Sequence, residues 1–256
     1  AVISSSGNGA IAAASYAALA GWRLVACLSP STPYTKLRRI VDLGACLLLS
    51  DDAMALAGGL AEARDWPNLR PSVDPAAPTG FMSLGWELAE EAVEAEGIFL
   101  FASSGTALVG LGRALARPRP GVPSWQAPLQ VVQGAGADPI ASQFDRRPPP
   151  QEGRARVGRL GSRKTRRLGE AVRWVRAGGG SGWTVGDAEA LAADALLRAA
   201  GIEAALEASA ALAGIRRAAD EAGLRRAILV VTGARFRKRW RRRPSRRPAS
   251  PTSPRR

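Results

Sequence analysis

Histidine is absent from all 256 residues. Its absence excludes Ser-His-Asp and Cys-His nucleophile systems, histidine metal ligation and the commonest general base. Any chemistry here must use carboxylates, lysine, hydroxyls or a borrowed cofactor. Lysine is scarce too, with Lys36, Lys164 and Lys238 alone. The two cysteines, Cys27 and Cys46, stand in separate apolar runs without metal-ligand spacing. Both are expected as buried thiols in a reducing cytoplasm, and no metal site is expected. No long apolar run exists either. The longest, 98–116, is broken by Ser103-Ser104-Gly105-Thr106 and carries Arg113, whereas a membrane span needs about 20 mostly apolar residues. A basic-then-apolar leader is missing, as is an initiator Met, so the expectation is that upstream sequence precedes Ala1.

The net charge of +14 is placed unevenly: eleven Lys and Arg follow residue 234 with no acid among them. The body is therefore near neutral, and the pI describes the tail. Residues 235–256 are rich in Arg, Pro and Ser and are expected to be disordered. They hold only two aromatics, Phe236 and Trp240, so only nonspecific nucleic-acid contacts are expected of them.

What is present in quantity is an alternation of short apolar runs and helical runs. Ala1-Val2-Ile3 reads as the end of a strand, Ser4 to Gly9 as a small-residue loop, and Ala10 to Ala20 as a helix closed by Gly21. Strands are expected next at 22–28 and 45–49. Between them lies a helix with Thr32 as N-cap and Pro33 at its first position. Asp51-Asp52 caps a helix over 53–63, 68–78 is a loop, and 80–95 is helical. Ile98-Phe99-Leu100-Phe101 is a strand that turns through Ser103 to Thr106 into a helix over 107–116. A strand at 129–132 follows. The basic region 146–176 shows no clean periodicity. Helices return at 188–200, capped by Asp187, and at 209–222, before a strand at 227–231. This order predicts an α/β fold of parallel twisted sheets with helices on both faces. A smaller lobe over 1–78 carries the first loop, and a larger lobe over 79–234 carries the second.

Two helix starts, at 5–9 and 103–107, bring free backbone N–H groups and small residues to strand ends, which suits an anionic ligand. Ligands in such folds lie beyond the carboxyl ends of the strands, where Thr232 also falls. At this point the chain resembles the fold-type II pyridoxal-phosphate enzymes, threonine synthase most nearly. The residues that carry the likeness are Ser5-Ser6-Gly7-Asn8 with its alanine-rich helix, Ser29-Pro30 to Lys36, and Gly44-Ala45. Gly201-Ile202, Glu207 to Ala211, and Val230-Val231-Thr232-Gly233 continue it in order.

The resemblance implies a two-lobed fold-type II architecture, incomplete at the N-terminus, with pyridoxal 5'-phosphate as cofactor. It implies that Asn8 bonds the cofactor's ring oxygen and that Ser103, Ser104, Gly105, Thr106 and Ala107 hold its phosphate. Thr232 would face the pyridine nitrogen, and Ser5, Ser6 and Gly7 would receive the substrate carboxylate. Glu207 falls in a structural stretch. The implied reaction converts O-phosphohomoserine to threonine with release of phosphate; the alternatives are a serine or threonine ammonia-lyase and a noncatalytic homologue. The family's Schiff-base lysine lies well upstream of the asparagine loop, and only seven residues precede Asn8. The chain as given is thus expected to lack that lysine and to be inactive. A small amino-acid substrate, a homodimer when complete, a cytoplasmic location and no membrane contact complete the expectation.

Overall fold

Apolar strands that must bury both faces set the architecture. In the computed structural model, residues 1–5, 8–91, 94–117, 120–121, 127–145, 157 and 161–233 are described. The expected basic tail, 235–256, lies outside them. Strands β1 (Val2–Ser4), β2 (Val25–Leu28) and β3 (Cys46–Leu49) form a parallel sheet in that order. The register sets Ile3 beside Ala26 and Cys27 beside Leu48. Alternate side chains point to opposite faces. Ile3, Ala26 and Leu28 pack on α1 (Asn8–Leu19) and α2 (Tyr34–Asp42), while Val2 and Cys27 meet Ala57 of α3 (Ala53–Arg64). Helix α1 buries Ala10, Ala14 and Ala17, a one-face spacing.

The second sheet is also parallel, in the order β6-β5-β4-β7. Its strands are β4 (Ile98–Phe101), β5 (Leu129–Gly134), β6 (Gly182–Val185) and β7 (Ile228–Leu229). Ile98, Leu100 and Val131 face α5 (Thr106–Ala116) and α6 (Leu168–Ala177). Phe99, Phe101, Val132 and Val185 face α7 (Asp187–Ala199) and α8 (Leu206–Ala222). A 3-10 turn over Ala77–Phe81 leads into α4 (Met82–Glu91). It straddles the expected lobe boundary at 78/79 and packs on α5, because Gly110 leaves no side chain between them. A Cβ there would lie 2.3 Å from the Pro78 carbonyl. Among the described residues no helix is long and apolar enough to cross a membrane.

Several local expectations need correction. Thr32 does not cap α2: Pro33 holds that position, and the Thr32 hydroxyl is buried with no hydrogen-bond partner among the described residues. Asp187 is not the cap of α7 but its first residue. The backbone of Gly186 takes the cap position, its N–H donating to Glu189, while Asp187 accepts from Val157 N–H. Cys46 is exposed, because β3 is an edge strand, and only Cys27 is buried. Burial, and next the neighbouring Cys46, push the Cys27 thiol above its ordinary pKa. The aperiodic stretch contains most of α6, and Gly182–Val185 is a strand that the hydrophobic pattern did not mark. Asp52 does cap α3, its carboxylate accepting from Ala55 N–H.

Helix α6 is tied to α5 by a fork. Arg113 donates to Glu170 Oε1 at 2.8 Å from Nε and to Oε2 at 3.1 Å from Nη2. The Arg113 hydrogen bonds, ahead of its charge, hold the Glu170 carboxyl below its usual pKa. A depressed folded pKa contributes stability above the unfolded value of about 4.3 and loses it as pH falls through the folded one. Glu170→Gln is expected to lower stability at neutral pH by about 1 kcal/mol. It should also flatten the acid limb below about pH 4.3 that the parent shows in pH-dependent denaturant melts.

Candidate functional site

The loops after β1 and β4 meet at one place. Ser5 follows β1, Ser103 and Ser104 follow β4, and the three line one cleft of about 670 Å³ together with Ser4, Arg70 and Ser72. An adjoining cleft of about 900 Å³ shares Ser4, Arg70, Ser72 and Ser104 with it. This larger space runs from the N-terminal turn of α3, at Asp52 and Met54, across to Ser162, Lys164, Thr165 and Arg166. Its walls therefore come from both sheets, at the carboxyl ends of their parallel strands, where backbone N–H groups of following helices are free.

Residues far apart in sequence hold these walls together. The Pro67–Leu69 segment closes the free edge of β1: Val2 N–H donates to Pro67 O at 2.9 Å and Leu69 N–H to Val2 O at 2.8 Å. This delivers Arg70 to Ser4, whose carbonyl accepts from Nη1 at 3.1 Å and whose hydroxyl lies at 3.3 Å. Arg70 Nε donates to Ser72 Oγ at 2.7 Å. Burial lowers the proton affinity of the Arg70 guanidinium. On the other side, Gln133 is fully buried in β5. Its Nε2 donates to Ala102 O at 2.7 Å, and its Oε1 accepts from Ile140 and Ala141 N–H. That amide fixes the last residue before Ser103.

Gly105 is the glycine the second loop cannot replace. Its φ is +78°, and a Cβ would lie 2.9 Å from Ile140 Cδ1. The next residue, Thr106, turns its hydroxyl inward. It donates to Pro71 O at 2.9 Å, lies 2.8 Å from Ser104 Oγ and accepts from Arg167 Nε at 3.3 Å. Arg167 is buried, and its Nη2 also donates to Pro71 O and Asp74 O. Thr165 Oγ1 donates to Ser104 O at 2.6 Å. What Thr106 and Ala107 present at the start of α5 is therefore backbone, not side chain.

The structure thus brings together Ser5, Ser103 and Ser104, with Gly105, Thr106 and Ala107 directly behind them at the start of α5. Asn8 opens α1 and is exposed, and Thr232 is exposed beyond β7; neither lines these two clefts. Ser6 and Gly7 lie outside the described residues. Lys36 is half-buried on α2, whereas Lys164 lines the larger cleft. Sequence reasoning missed Arg70, Arg163, Lys164, Arg166 and Arg167. For all but Arg70 the only signal was a basic region without periodicity, which reads as solvated surface until the fold turns it toward the serines; Arg70 lies in the 68–78 loop, which carried no site signal.

A profile of the family described as pyridoxal-phosphate dependent enzyme matches residues 1–233. No curated protein sequence matches. Solved structures do. Threonine deaminase isoform 2 from Solanum lycopersicum superposes with a TM-score of 0.73 at 16% identity, over 92% of this chain and 69% of that one. Maize serine racemase gives 0.71 at 17% identity, over 93% and 73%. O-ureido-L-serine synthase gives 0.66 at 20% identity, over 91% and 72%.

Proposed function

The chain belongs to the pyridoxal-phosphate dependent enzyme family, and from that premise we propose that it is a threonine synthase-like member acting on O-phosphohomoserine. Its architecture is the fold-type II α/β arrangement, its cofactor is pyridoxal phosphate, and its substrate is a small amino acid. The single observation that carries the finer reading is the cleft where Ser5 meets Ser103 and Ser104 within a ring of cations.

The donor set fits a phosphorylated cofactor. Serine hydroxyls and the first amides of α5 complement phosphate oxygens, and the clefts have the volume of small-molecule sites. In this reading Ser103 and Ser104 hold the cofactor phosphate with the backbone of Gly105, Thr106 and Ala107. Ser5, with Ser6 and Gly7, orients the substrate carboxylate. From the resemblance alone, Asn8 is assigned to the ring oxygen and Thr232 to the pyridine nitrogen. When bound, the cofactor supplies an electron sink for bond breaking beside the substrate's amine nitrogen. The protein's part is to orient the two anionic ends and to place cations where a phosphate leaves.

The fold likeness to threonine deaminases and to a serine racemase favours a second reading, elimination of ammonia from serine or threonine. Stable reduced conjugates of pyridoxal phosphate with each amino acid separate the two, since they bind without covalent attachment to the protein. Calorimetric titration of the chain is expected to show the phosphohomoserine conjugate binding about tenfold tighter than the threonine conjugate, about 1.4 kcal/mol. The reverse order hands the assignment to elimination. Binding of neither would sink both readings.

A further inference from the structure

We infer that Arg70 is the anchor for a phosphate monoester in this cleft, with Lys164 and Arg166 closing on the ligand from the opposite wall. The inference rests on reading the cleft as the reaction site and names the residue that selects the ligand's charge.

Neutral groups hold Arg70 in place. Its three hydrogen bonds go to neutral acceptors, Ser72 Oγ, Ser4 O and Ser4 Oγ. Its Nη2 has no hydrogen-bond partner among the described residues, and no described carboxylate lies within ion-pair distance of it. The side chain is half-buried and lines both clefts. A partly desolvated cation without a counter-charge is an unfavourable arrangement that an anion relieves.

The surroundings do not supply that anion. Of the two acids lining the larger cleft, Asp52 accepts from Ala55 N–H and Asp74 from Ala76 N–H, each as a local cap. The cations around the two clefts are Arg70, Arg163, Lys164 and Arg166. Four cations against two carboxylates leave two positive charges, which a phosphate monoester, at about −1.5 to −2 near neutral pH, neutralises. The Ser72 hydroxyl accepts from Arg70 and keeps its own proton as a further donor, whereas Thr165 and Ser162 give theirs to the carbonyls of Ser104 and Lys164. Arg70 differs from the other three cations in being preorganised. They are exposed, whereas its guanidinium plane is clamped on two edges, and a planar fork held in place binds phosphate with little further ordering.

The ester can be the cofactor's own phosphate or the phosphate of a phosphorylated amino acid, and one experiment separates them. Parent chain, Arg70→Met and Arg70→Lys are titrated with inorganic phosphate, with the threonine conjugate carrying one phosphate, and with the phosphohomoserine conjugate carrying two. Arg70→Met is expected to weaken inorganic phosphate binding about 10- to 100-fold. Arg70→Lys, which keeps the charge but loses the fork, is expected to weaken it several-fold, and it serves alone where the methionine variant does not fold. A loss confined to the doubly phosphorylated conjugate assigns the anchor to the substrate's phosphate; an equal loss for both conjugates assigns it to the cofactor's. Affinities in both variants within twofold of the parent overturn the role of Arg70 while leaving the cleft's identity intact. Failure of both conjugates to bind the parent chain overturns the underlying reading instead.

Discussion

Arg167→Met is expected to lower the unfolding free energy by roughly 3 kcal/mol and the melting midpoint by roughly 6–12 °C. The guanidinium is buried and joins three elements. It donates to Thr106 at the start of α5 and to the carbonyls of Pro71 and Asp74 in the linker between the sheets. Burial, and next the like charge of Arg113, lower its proton affinity, and the carboxylates of Glu170 and Asp74 oppose them. Methionine fills similar volume but takes the Arg167 donor from both carbonyls, leaving Thr106 alone on Pro71 O and Ala77 N–H alone on Asp74 O. The linker that carries Arg70 and Ser72 should then loosen from the loop that carries Ser104. Hydrogen exchange should accelerate at 70–74 before the strands unfold, and affinity for phosphorylated conjugates should fall about tenfold. A melting point within 2 °C of the parent, with exchange at 70–74 unchanged, would show that the staple is not needed. Thr106→Val tests the same hub from its other side, removing the hydroxyl that contacts Pro71, Ser104 and Arg167 together.

A larger loss is expected of Arg217→Met, about 3–5 kcal/mol. Arg217 on α8 bonds Asp145 at 3.1 Å, and their side chains are only 10% and 7% exposed. Its Nη1 donates to Thr184 O at 2.7 Å, and its guanidinium lies 5.4 Å from the Trp183 ring centre. Asp145 also accepts from Thr184 N–H, so the pair fastens α8 to strand β6 at the sheet's edge. Removing the arginine takes the Arg217 charge away from a buried carboxylate and a donor from the Thr184 carbonyl, and those two losses set the magnitude. The double variant Asp145→Asn, Arg217→Met should therefore recover a good part of the loss. Denaturant melts of the two singles and the double form a cycle that decides it. A double variant no more stable than Arg217→Met would show that packing over Trp183, and not charge, dominates. The same network reaches the site, because Thr184 Oγ1 donates to Asp138, just before Ile140, the residue that packs over Gly105.

Much of the fold is legible in the chain itself. The βα alternation, the strand at Ile98–Phe101, the Asp52 cap and the turn at Gly105 are local events, dictated by apolar runs and short-range backbone chemistry. Local signals fail where a distant partner overrides them. Thr32 has good capping chemistry, yet it is buried and Pro33 takes the position. Asp187 has it too, yet its carboxylate serves Val157. Strand β6 begins at Gly182, where a Cβ would lie 2.7 Å from the Ala141 carbonyl, a close approach that no periodicity announces.

By itself, then, the amino-acid order determined two parallel βα layers, two anion-ready loops and the family to which they belong, because hydrophobic period and loop composition act over a few residues. Only the tertiary structure decided that Ser5, Ser103 and Ser104 share a cleft, that Thr106 faces inward, and that Arg70 and Lys164 stand among the serines. Charge in a cleft depends on which solvent is removed and which partner arrives from about 60 to 100 residues away. Those quantities exist only once the chain is packed.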